Sequence, residues 1–254
     1  MIVEVCTDDI NSIFGIKQSQ VNRVELCSAL ELGGLTPSLS VAEAFLTELD
    51  IPIRVMIRPR RGHFTYSEVE LNTMKNDIKV FKTLGVEGVV FGCLTEQNHI
   101  DRQALDFLLK AAEGLKVTFH RAFDWVDNPL ESLEILDKAG VDTLLTSGLK
   151  DKAALGLELL LELKKKASNV TLMPGSGIGK QEAAIFRKYN FEAIHLSGTT
   201  FEQTSIGVSK PKMSMISNPL DFELRKLQLD KLMEVVKIVN EKERSPNGNN
   251  TSVS

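Results

Sequence analysis

The sequence predicts an α/β protein that forms a single (β/α)8 TIM barrel. The chain has 254 residues, near the ~250 typical of such a barrel. Eight short runs of β-branched and apolar residues recur, and their first residues lie 21 to 35 positions apart. This interval leaves room for one helix and two short loops, as parallel pairing of successive strands requires. No GxGxxG turn follows the first run, which favours a closed barrel over an open doubly wound sheet.

Each element of the barrel has its own signal in the sequence. The predicted strands are residues 2–6 (IVEVC), 23–27 (RVELC), 53–57 (IRVMI), 88–92 (GVVFG), 117–121 (VTFHR), 143–147 (TLLTS), 170–174 (VTLMP) and 193–197 (AIHLS). The segments between them carry apolar residues at the three- and four-residue offsets of amphipathic helices. Helices are expected at 38–48, at 67–84, from Pro129 to Ala139 and at 152–166. We therefore expect the barrel to occupy residues 1–240.

Two segments fall outside the repeating pattern. Residues 241–254 read EKERSPNGNNTSVS, polar and without an apolar period, which predicts a disordered polar tail. The stretch from Thr199 to Pro219 is longer than the ~2 to 6 residues usual between a strand and the next helix. It is predicted to be either a mobile lid over the barrel or an oligomer contact.

Composition narrows the classes of function. Apolar residues make up 43% and charged residues 25%, values typical of a globular protein. The net charge of -4 offers no basic surface, so binding to nucleic acid or to a membrane is not expected, and small ligands are favoured. No apolar run reaches the ~18 residues of a membrane span, and the amino terminus lacks the pattern of a signal peptide. Three cysteines without a CxxC pair predict reduced thiols and a cytoplasmic protein.

Strand alternation predicts which side chains point into the barrel. Successive residues of a strand face opposite sides, and the apolar alternates suit the helix layer. The polar alternates then face inward, and the predicted inner set is Glu4, Cys6, Glu25, Cys27, Arg58, His120 and His195. Such groups are costly to bury unless they are paired or open to a ligand. Several lie near strand carboxyl ends, where barrel active sites are found, which predicts a polar ligand site there.

Part of this set suits proton transfer. His120 and His195 titrate near neutral pH and, together with Glu25, are candidate acid/base residues. Glu25 could equally belong to a satisfied core network with Arg23 and Arg54, and either histidine could be a packing residue.

Other residues suit a small anionic metabolite. Arg58 and Arg60 in RPRRGHF, with Asp124 in FHRAFD, are predicted to surround the ligand, because guanidinium groups bind anion oxygens bidentately.

Glycine-rich turns follow the last two strands of the predicted barrel. The segment MPGSGIGK departs from the Walker A pattern at Pro174. Loops after strands seven and eight of barrels commonly bind phosphate through backbone N–H groups. Gly175, Gly177, Ser197 and Gly198 are therefore predicted either to bind a phosphate or carboxylate or to serve only as tight turns.

Two cysteines end neighbouring predicted strands on the same face. If Cys6 and Cys27 are in register, their backbones lie about one strand spacing, ~4.8 Å, apart. Paired thiolates favour Cu(I), yet free cysteines are also common core residues, so both interpretations stay open.

The ordered motifs, taken together, resemble the CutC family of copper homeostasis proteins. They run from Met1 to about Gly198 and are RVELC, GGLTPS, MIRPR, GHFTYS, VVFGCL, TFHRAFD, LLTSG, MPGSGI and IHLSG. The resemblance implies a TIM barrel, a cytoplasmic location, a homo-oligomer (dimer or tetramer) and a role in copper tolerance through Cu(I) binding. It places the family's copper cysteines at Cys6 and Cys27.

The sequence is compatible with three functions. The first is a copper-handling protein whose paired cysteines hold Cu(I). The second is a TIM-barrel enzyme acting on a phosphorylated or carboxylated metabolite by histidine acid/base chemistry. The third is an oligomeric scaffold without a ligand.

Overall fold

Eight parallel strands form one sheet that curls into a nearly closed barrel. The computed structural model describes residues 1–203 and 222–241. The strand order is β7-β6-β5-β4-β3-β2-β1-β8, so the first strand lies between the second and the eighth. The strands are β1 (Ile2–Thr7), β2 (Arg23–Leu26), β3 (Ile53–Met56), β4 (Gly88–Phe91), β5 (Lys116–Phe119), β6 (Thr143–Thr146), β7 (Thr171–Pro174) and β8 (Ala193–Leu196). The predicted (β/α)8 TIM barrel is confirmed.

The barrel closes between β7 and β8 through a parallel bridge from Gly175 to His195. The Gly175 N–H also donates to the Thr146 carbonyl at 3.0 Å, which extends the β6–β7 ladder. A Cβ added at position 175 would overlap the Leu145 side chain. Closure therefore depends on a residue without a side chain, and it fixes the backbone of His195.

Helices cover the outside of the barrel. They are α1 (Ser12–Ser19), α2 (Leu39–Glu48), α3 (Glu68–Leu84), α4 (Arg102–Ala111), α5 (Pro129–Ala139), α6 (Leu157–Lys166), α7 (Lys180–Lys188) and α8 (Leu229–Asn240). The start of α3 is fixed by a capping box, in which Ser67 and Glu70 each accept the backbone N–H of the other.

The predicted helix at 152–166 begins later than expected. A 3₁₀ turn at Ala153–Gly156 precedes α6. A Cβ at Gly156 would overlap the Ser147 carbonyl, so the end of the segment between β6 and α6 lies directly against its beginning. The α-helix starts only after this close contact, which local spacing could not reveal.

The interior and the helix layer form separate apolar groups. The outward residues of the strands, such as Val5 and Val55, pack with helix residues such as Phe45 in one large core. Inside the barrel are two small groups, which are Cys27 with Met56 and Val90, and Leu145 with Met173 and Ala193. The remaining predicted inner residues are buried too but lie outside the large core, as the alternation predicts.

Ion pairs satisfy the arginines in the lower part of the barrel. Arg54 Nε donates to Glu87 Oε2 at 2.8 Å, and its Nη1 donates to the hydroxyls of Thr118 and Thr143 at 2.7 and 2.9 Å. Arg54 is thus neutralised by Glu87 rather than by the predicted Glu25.

An antiparallel ribbon follows the eighth strand. It pairs β9 (Thr199–Gln203) with β10 (Glu223–Leu227). The Gln228 N–H donates to the Gly198 carbonyl at 2.8 Å, which fixes the end of the ribbon beside β8. Residues 204–221 lie outside the described residues, and the predicted lid or oligomer contact lies largely among them. The predicted tail lies outside them from residue 242 onward.

No helix in the described part of the chain combines the length and apolar character that crossing a bilayer requires.

Candidate functional site

A cavity of about 610 Å³ opens at the carboxyl ends of the strands. Five residues that the sequence placed inside the barrel line it: Cys6, Glu25, Arg58, His120 and His195. Its volume falls within the range of small-molecule sites.

Cys6, Glu25 and His195 form a compact cluster of donor atoms. One ligand atom from each lies within 4.8 Å of the others, and all three residues are buried. The strand register explains the cluster, because Cys6 of β1 stands opposite Glu25 of β2 and Glu4 of β1 stands opposite His195 of β8. Residues far apart in the sequence are thus brought to one wall of the barrel.

Glu4 orients the His195 ring from below. His195 Nδ1 lies 2.7 Å from Glu4 Oε1, and the other Glu4 oxygen accepts a hydrogen bond from Arg23. His195 Nε2 consequently faces Glu25, at 4.0 Å from Oε1. A carboxylate that fixes one ring nitrogen while the other is presented outward is typical of histidines that bind metals.

The charges of this network stabilise one another. Burial opposes the charge of Glu4, but the hydrogen bond from His195 and the charge of Arg23 bring its pKa down to about 2. Burial also opposes the charge of His195, yet the Cys6 sulfur, Glu25 and Glu4 together hold its pKa well above the ordinary value. Arg23, Glu4 and His195 therefore form a buried chain of alternating charges.

Glu25 is the unsatisfied member of the cluster. Its Oε2 is buried and has no hydrogen-bond partner among the described residues. Burial raises the pKa of Glu25 to about 7. A buried oxygen without a partner calls for a proton or a cation, so the predicted core network with Arg23 and Arg54 does not account for Glu25.

Cys27 does not stand beside Cys6. Cys6 lies opposite Glu25 of β2, and Cys27 follows two residues later, just after the end of that strand. Its Sγ is 3.5 Å from the Thr7 carbonyl. Burial, with Cys6 and Glu25 adding to it, raises the pKa of the Cys27 thiol well above its usual value. The condition set for a close pair, that the two cysteines be in register, is not met, because the strands of a barrel are staggered along its axis.

Arg58 ties two loops together at the mouth. Its Nη1 donates to the carbonyls of Leu32 and Gly34 at 3.1 and 3.2 Å, and its Nη2 donates to Gly62 at 2.9 Å. These acceptors lie before α2 and before α3. Burial lowers the pKa of Arg58.

The surroundings of His120 favour its neutral form. Its Nδ1 accepts the Ala122 N–H at 3.1 Å, which leaves the ring proton on Nε2. Burial and then the charge of Arg58 lower the pKa of His120 to about 3. The predicted acid/base role of His120 near neutral pH is therefore not supported by its surroundings.

Two other predicted anion ligands are engaged in structural contacts. Arg60 Nε donates to Glu70 at 2.5 Å, and its Nη atoms donate to loop carbonyls. Asp124 lines the cavity, but its oxygens accept hydrogen bonds from Arg121 at 2.6 Å and from the Ser147 N–H at 2.9 Å. Both side chains order the loops around the mouth.

The four small residues of the last two turns divide between two roles. Gly177 and Ser197 line the cavity. Gly175 serves the β7–β8 contact described above, and the Gly198 carbonyl holds the ribbon. Gly175 and Gly198 are not among the residues that line the cavity, and phosphate or carboxylate binding by these turns stays a prediction.

The comparisons with known proteins agree on one family. The sequence profile of the CutC family matches residues 1–200. The chain belongs to the CutC family. A CutC family protein of Pasteurella multocida is 44% identical over 200 residues, which are 78% of this chain and 82% of the relative. The human copper homeostasis protein cutC homolog is 43% identical over 178 residues, covering 70% of this chain and 65% of the human protein.

Solved structures agree with this assignment. The crystal structure of a CutC protein from Streptococcus agalactiae has a TM-score of 0.73 at 31% identity, covering 78% of this chain and 98% of that one. The tryptophan synthase α-subunit of Pyrococcus furiosus has a TM-score of 0.52 at 15% identity, covering 77% and 86%, and shares the fold alone.

Three residues that the sequence did not assign to a site complete the mouth of this CutC family barrel. Phe64 and Trp125 meet edge to face with ring centroids 5.0 Å apart, and both line the cavity. Arg225 enters from β10, with its Nε 3.8 Å from Asp8 Oδ1. No local pattern marks Arg225, because its position depends on the pairing of the ribbon.

Proposed function

We propose that this CutC family member binds copper as Cu(I) at the barrel mouth, with Cys6 and His195 as ligands. The supporting observation is the cluster of Cys6, Glu25 and His195, whose donor atoms lie within 4.8 Å of one another in a buried wall of the cavity. Thiolate is a soft ligand that selects Cu(I), and imidazole suits copper. Relatives of the chain include a human protein named for copper homeostasis.

Glu4 and Glu25 support this donor set in different ways. Glu4 holds His195 Nδ1 at 2.7 Å, so copper would bind at Nε2 and displace its proton. Glu25 has a carboxylate oxygen without a partner in the described structure, and we place its negative charge beside the Cu(I) ion rather than in the preferred ligand set, because carboxylates suit harder metals.

A second donor set competes with this one. The family resemblance implies that Cys6 and Cys27 bind Cu(I) together. Cys27 lies just after β2, two positions beyond Glu25, the residue opposite Cys6, and it packs against Met56 and Val90. The two sets share Cys6 and differ in whether His195 or Cys27 is the partner.

The test is an anaerobic competition for Cu(I) between the full chain and a chromogenic chelator. We expect Cys6→Ser to weaken Cu(I) binding by at least about 100-fold, because it removes a ligand rather than an outer partner. The matched control is Cys93→Ser. Cys93 is equally buried but belongs to the core between strands and helices, and its Sγ lies 3.6 Å from the Asp101 carbonyl.

Two further variants decide between the donor sets. If His195 is the second ligand, we expect His195→Gln to weaken Cu(I) binding strongly and Cys27→Ser to leave the Cu(I) affinity near that of the wild type. X-ray absorption at the copper edge should then report one sulfur neighbour rather than two. Wild-type affinity in Cys6→Ser would refute both sets, and a loss confined to Cys6→Ser and Cys27→Ser would establish the paired thiols instead.

We also infer a cytoplasmic homo-oligomer, either a dimer or a tetramer. The three free cysteines support a reducing compartment, and the oligomer follows from the family resemblance. Sedimentation equilibrium of the purified chain measures the subunit number, and a monomeric mass at all concentrations would contradict it.

A further inference from the structure

Arg58 is a buried cation that has no counter-ion among the described residues. It is 5% exposed, and the acceptors of its Nη atoms are backbone carbonyls. Within the described ranges, no carboxylate lies at salt-bridge distance from it, whereas Arg23 and Arg54 each have a glutamate. Burying an unpaired charge is costly, so its persistence at the wall of a cavity points to an anionic ligand.

Hydrogen-bond donors around Arg58 are also unused. Arg58 Nε and His120 Nε2 are buried, and neither has a hydrogen-bond partner in the described part of the chain. His120 Nε2 carries the ring proton, because Nδ1 accepts from Ala122. Since buried polar groups in native proteins are nearly always paired, a set of donors around one cation indicates a missing acceptor.

An aromatic pair covers these donors. The Phe64 ring centroid is 4.9 Å from Arg58 Cζ and 5.0 Å from the His120 ring centroid. Trp125 packs against the outer side of this group, at 5.0 Å from Phe64, and is 51% exposed. Phe64, Trp125, Arg58 and His120 all line the same cavity.

We propose that Arg58 and His120 form a subsite that binds the carboxylate of a small organic acid. One carboxylate oxygen accepts from Arg58 Nε and the other from His120 Nε2, while the organic part lies against Phe64 and Trp125. Two N–H donors match the two oxygens of a carboxylate, and the aromatic wall favours an organic anion over inorganic phosphate.

This subsite does not depend on copper. Arg58 follows β3 and His120 follows β5, whereas Cys6 and His195 belong to β1 and β8 on another part of the barrel wall. Loss of Cu(I) binding in Cys6→Ser should therefore leave the binding of a carboxylate unchanged, which separates the failure of one proposal from the failure of the other.

The position of Trp125 supplies the assay. It is the single tryptophan of the chain, so its fluorescence reports directly on this wall. The full-length protein is titrated with benzoate and with acetate, in the presence of a metal chelator, and inorganic phosphate and sulfate serve as comparison anions. We expect a saturable change in fluorescence with the carboxylates, tighter for benzoate because its ring packs on the aromatic wall.

Two arginine variants test the named donor. Arg58→Lys keeps the charge but removes Nε and the guanidinium plane, and it should weaken benzoate binding roughly 10- to 100-fold, the loss expected for one charge-assisted hydrogen bond. Arg60→Lys is the matched control, because Arg60 lies in the same loop but bonds Glu70 and loop carbonyls. It should bind benzoate like the wild type.

A measurement on the wild-type protein covers the case in which Arg58→Lys does not fold. The ¹⁵N and proton signals of His120 Nε2 should move to hydrogen-bonded values as benzoate saturates the site. The proposal is overturned if no carboxylate gives a saturable response, if phosphate binds in preference to both carboxylates, or if Arg58→Lys folds and binds benzoate as tightly as the wild type. It is also overturned if a high-resolution map of benzoate-soaked crystals shows only water at Arg58 Nε.

Discussion

Replacing Glu4 with glutamine should expose how strongly the barrel depends on its buried charge chain. Glu4 is fully buried, accepts from Arg23 and lies 2.7 Å from His195 Nδ1. Its pKa falls from 4.5 to about 2, and at about 1.4 kcal/mol for each unit this corresponds to roughly 3 kcal/mol. Breaking a buried ion pair from one side costs about 3–5 kcal/mol. We therefore expect Glu4→Gln to lower the free energy of unfolding by about 3 kcal/mol.

The pH dependence of this loss follows from the directions of the two pKa shifts. The folded pKa of Glu4 is depressed, so its contribution is present above about pH 4.5 and disappears as the pH falls toward 2. The folded pKa of His195 is raised, so its contribution is complete below about pH 6.5 and is lost as the pH rises through the folded value. The difference between wild type and Glu4→Gln should be largest between about pH 5 and 6.5 and should shrink in acid.

Urea unfolding followed by circular dichroism, at about pH 6 and about pH 3, measures both effects. Glu48→Gln is the control, because Glu48 pairs with Lys17 at the surface, where the two side chains are 51% and 44% exposed. That variant should lose about 1 kcal/mol or less. A Glu4→Gln protein within 1 kcal/mol of wild type at pH 6, or a deficit of the same size at both pH values, would refute the reasoning.

Three smaller effects follow from contacts elsewhere in the barrel, and urea unfolding checks each of them. Gly175→Ala should lower the free energy of unfolding by about 1–3 kcal/mol, because the added Cβ overlaps Leu145 where β7 meets β8. Wild-type stability in this variant would contradict the close contact between the two strands. Ser67→Ala should cost about 1 kcal/mol by breaking the capping box, and Ser67→Asp should restore it. Asp137→Ala should cost about 1 kcal/mol, because Asp137 accepts three backbone N–H groups of the loop before β7; no change would mean that water replaces it fully.

The fold followed from patterns that are local in sequence. All eight strands lie within one or two residues of their predicted bounds, and α5 begins at Pro129 and ends at Ala139 as predicted. The exception is the start of α6. There Gly156 lies against the Ser147 carbonyl, nine residues earlier, and the α-helix begins only after this contact.

The site followed only in part. Alternation correctly placed Cys6, Glu25 and His195 inside the barrel. It did not predict that Glu4 would orient His195, although an inward charge at position 4 was visible as a signal. It also did not give the register, which sets Glu25 rather than Cys27 opposite Cys6. The sequence did not reveal that Arg60 pairs with Glu70 instead of facing a ligand, because Glu70 lies in the following helix and meets Arg60 only in the folded protein.

The barrel, its inner residues and the resemblance to the CutC family could be predicted from the amino-acid sequence, because they depend on motifs, on spacing and on a two-residue alternation along each strand. Which inner residues meet depends on how the strands pack together. The stagger between strands sets that outcome, and it set Cys6 opposite Glu25 and left Arg58 without a counter-ion among the described residues. Stagger arises from closing the whole sheet, so no single stretch of sequence encodes it.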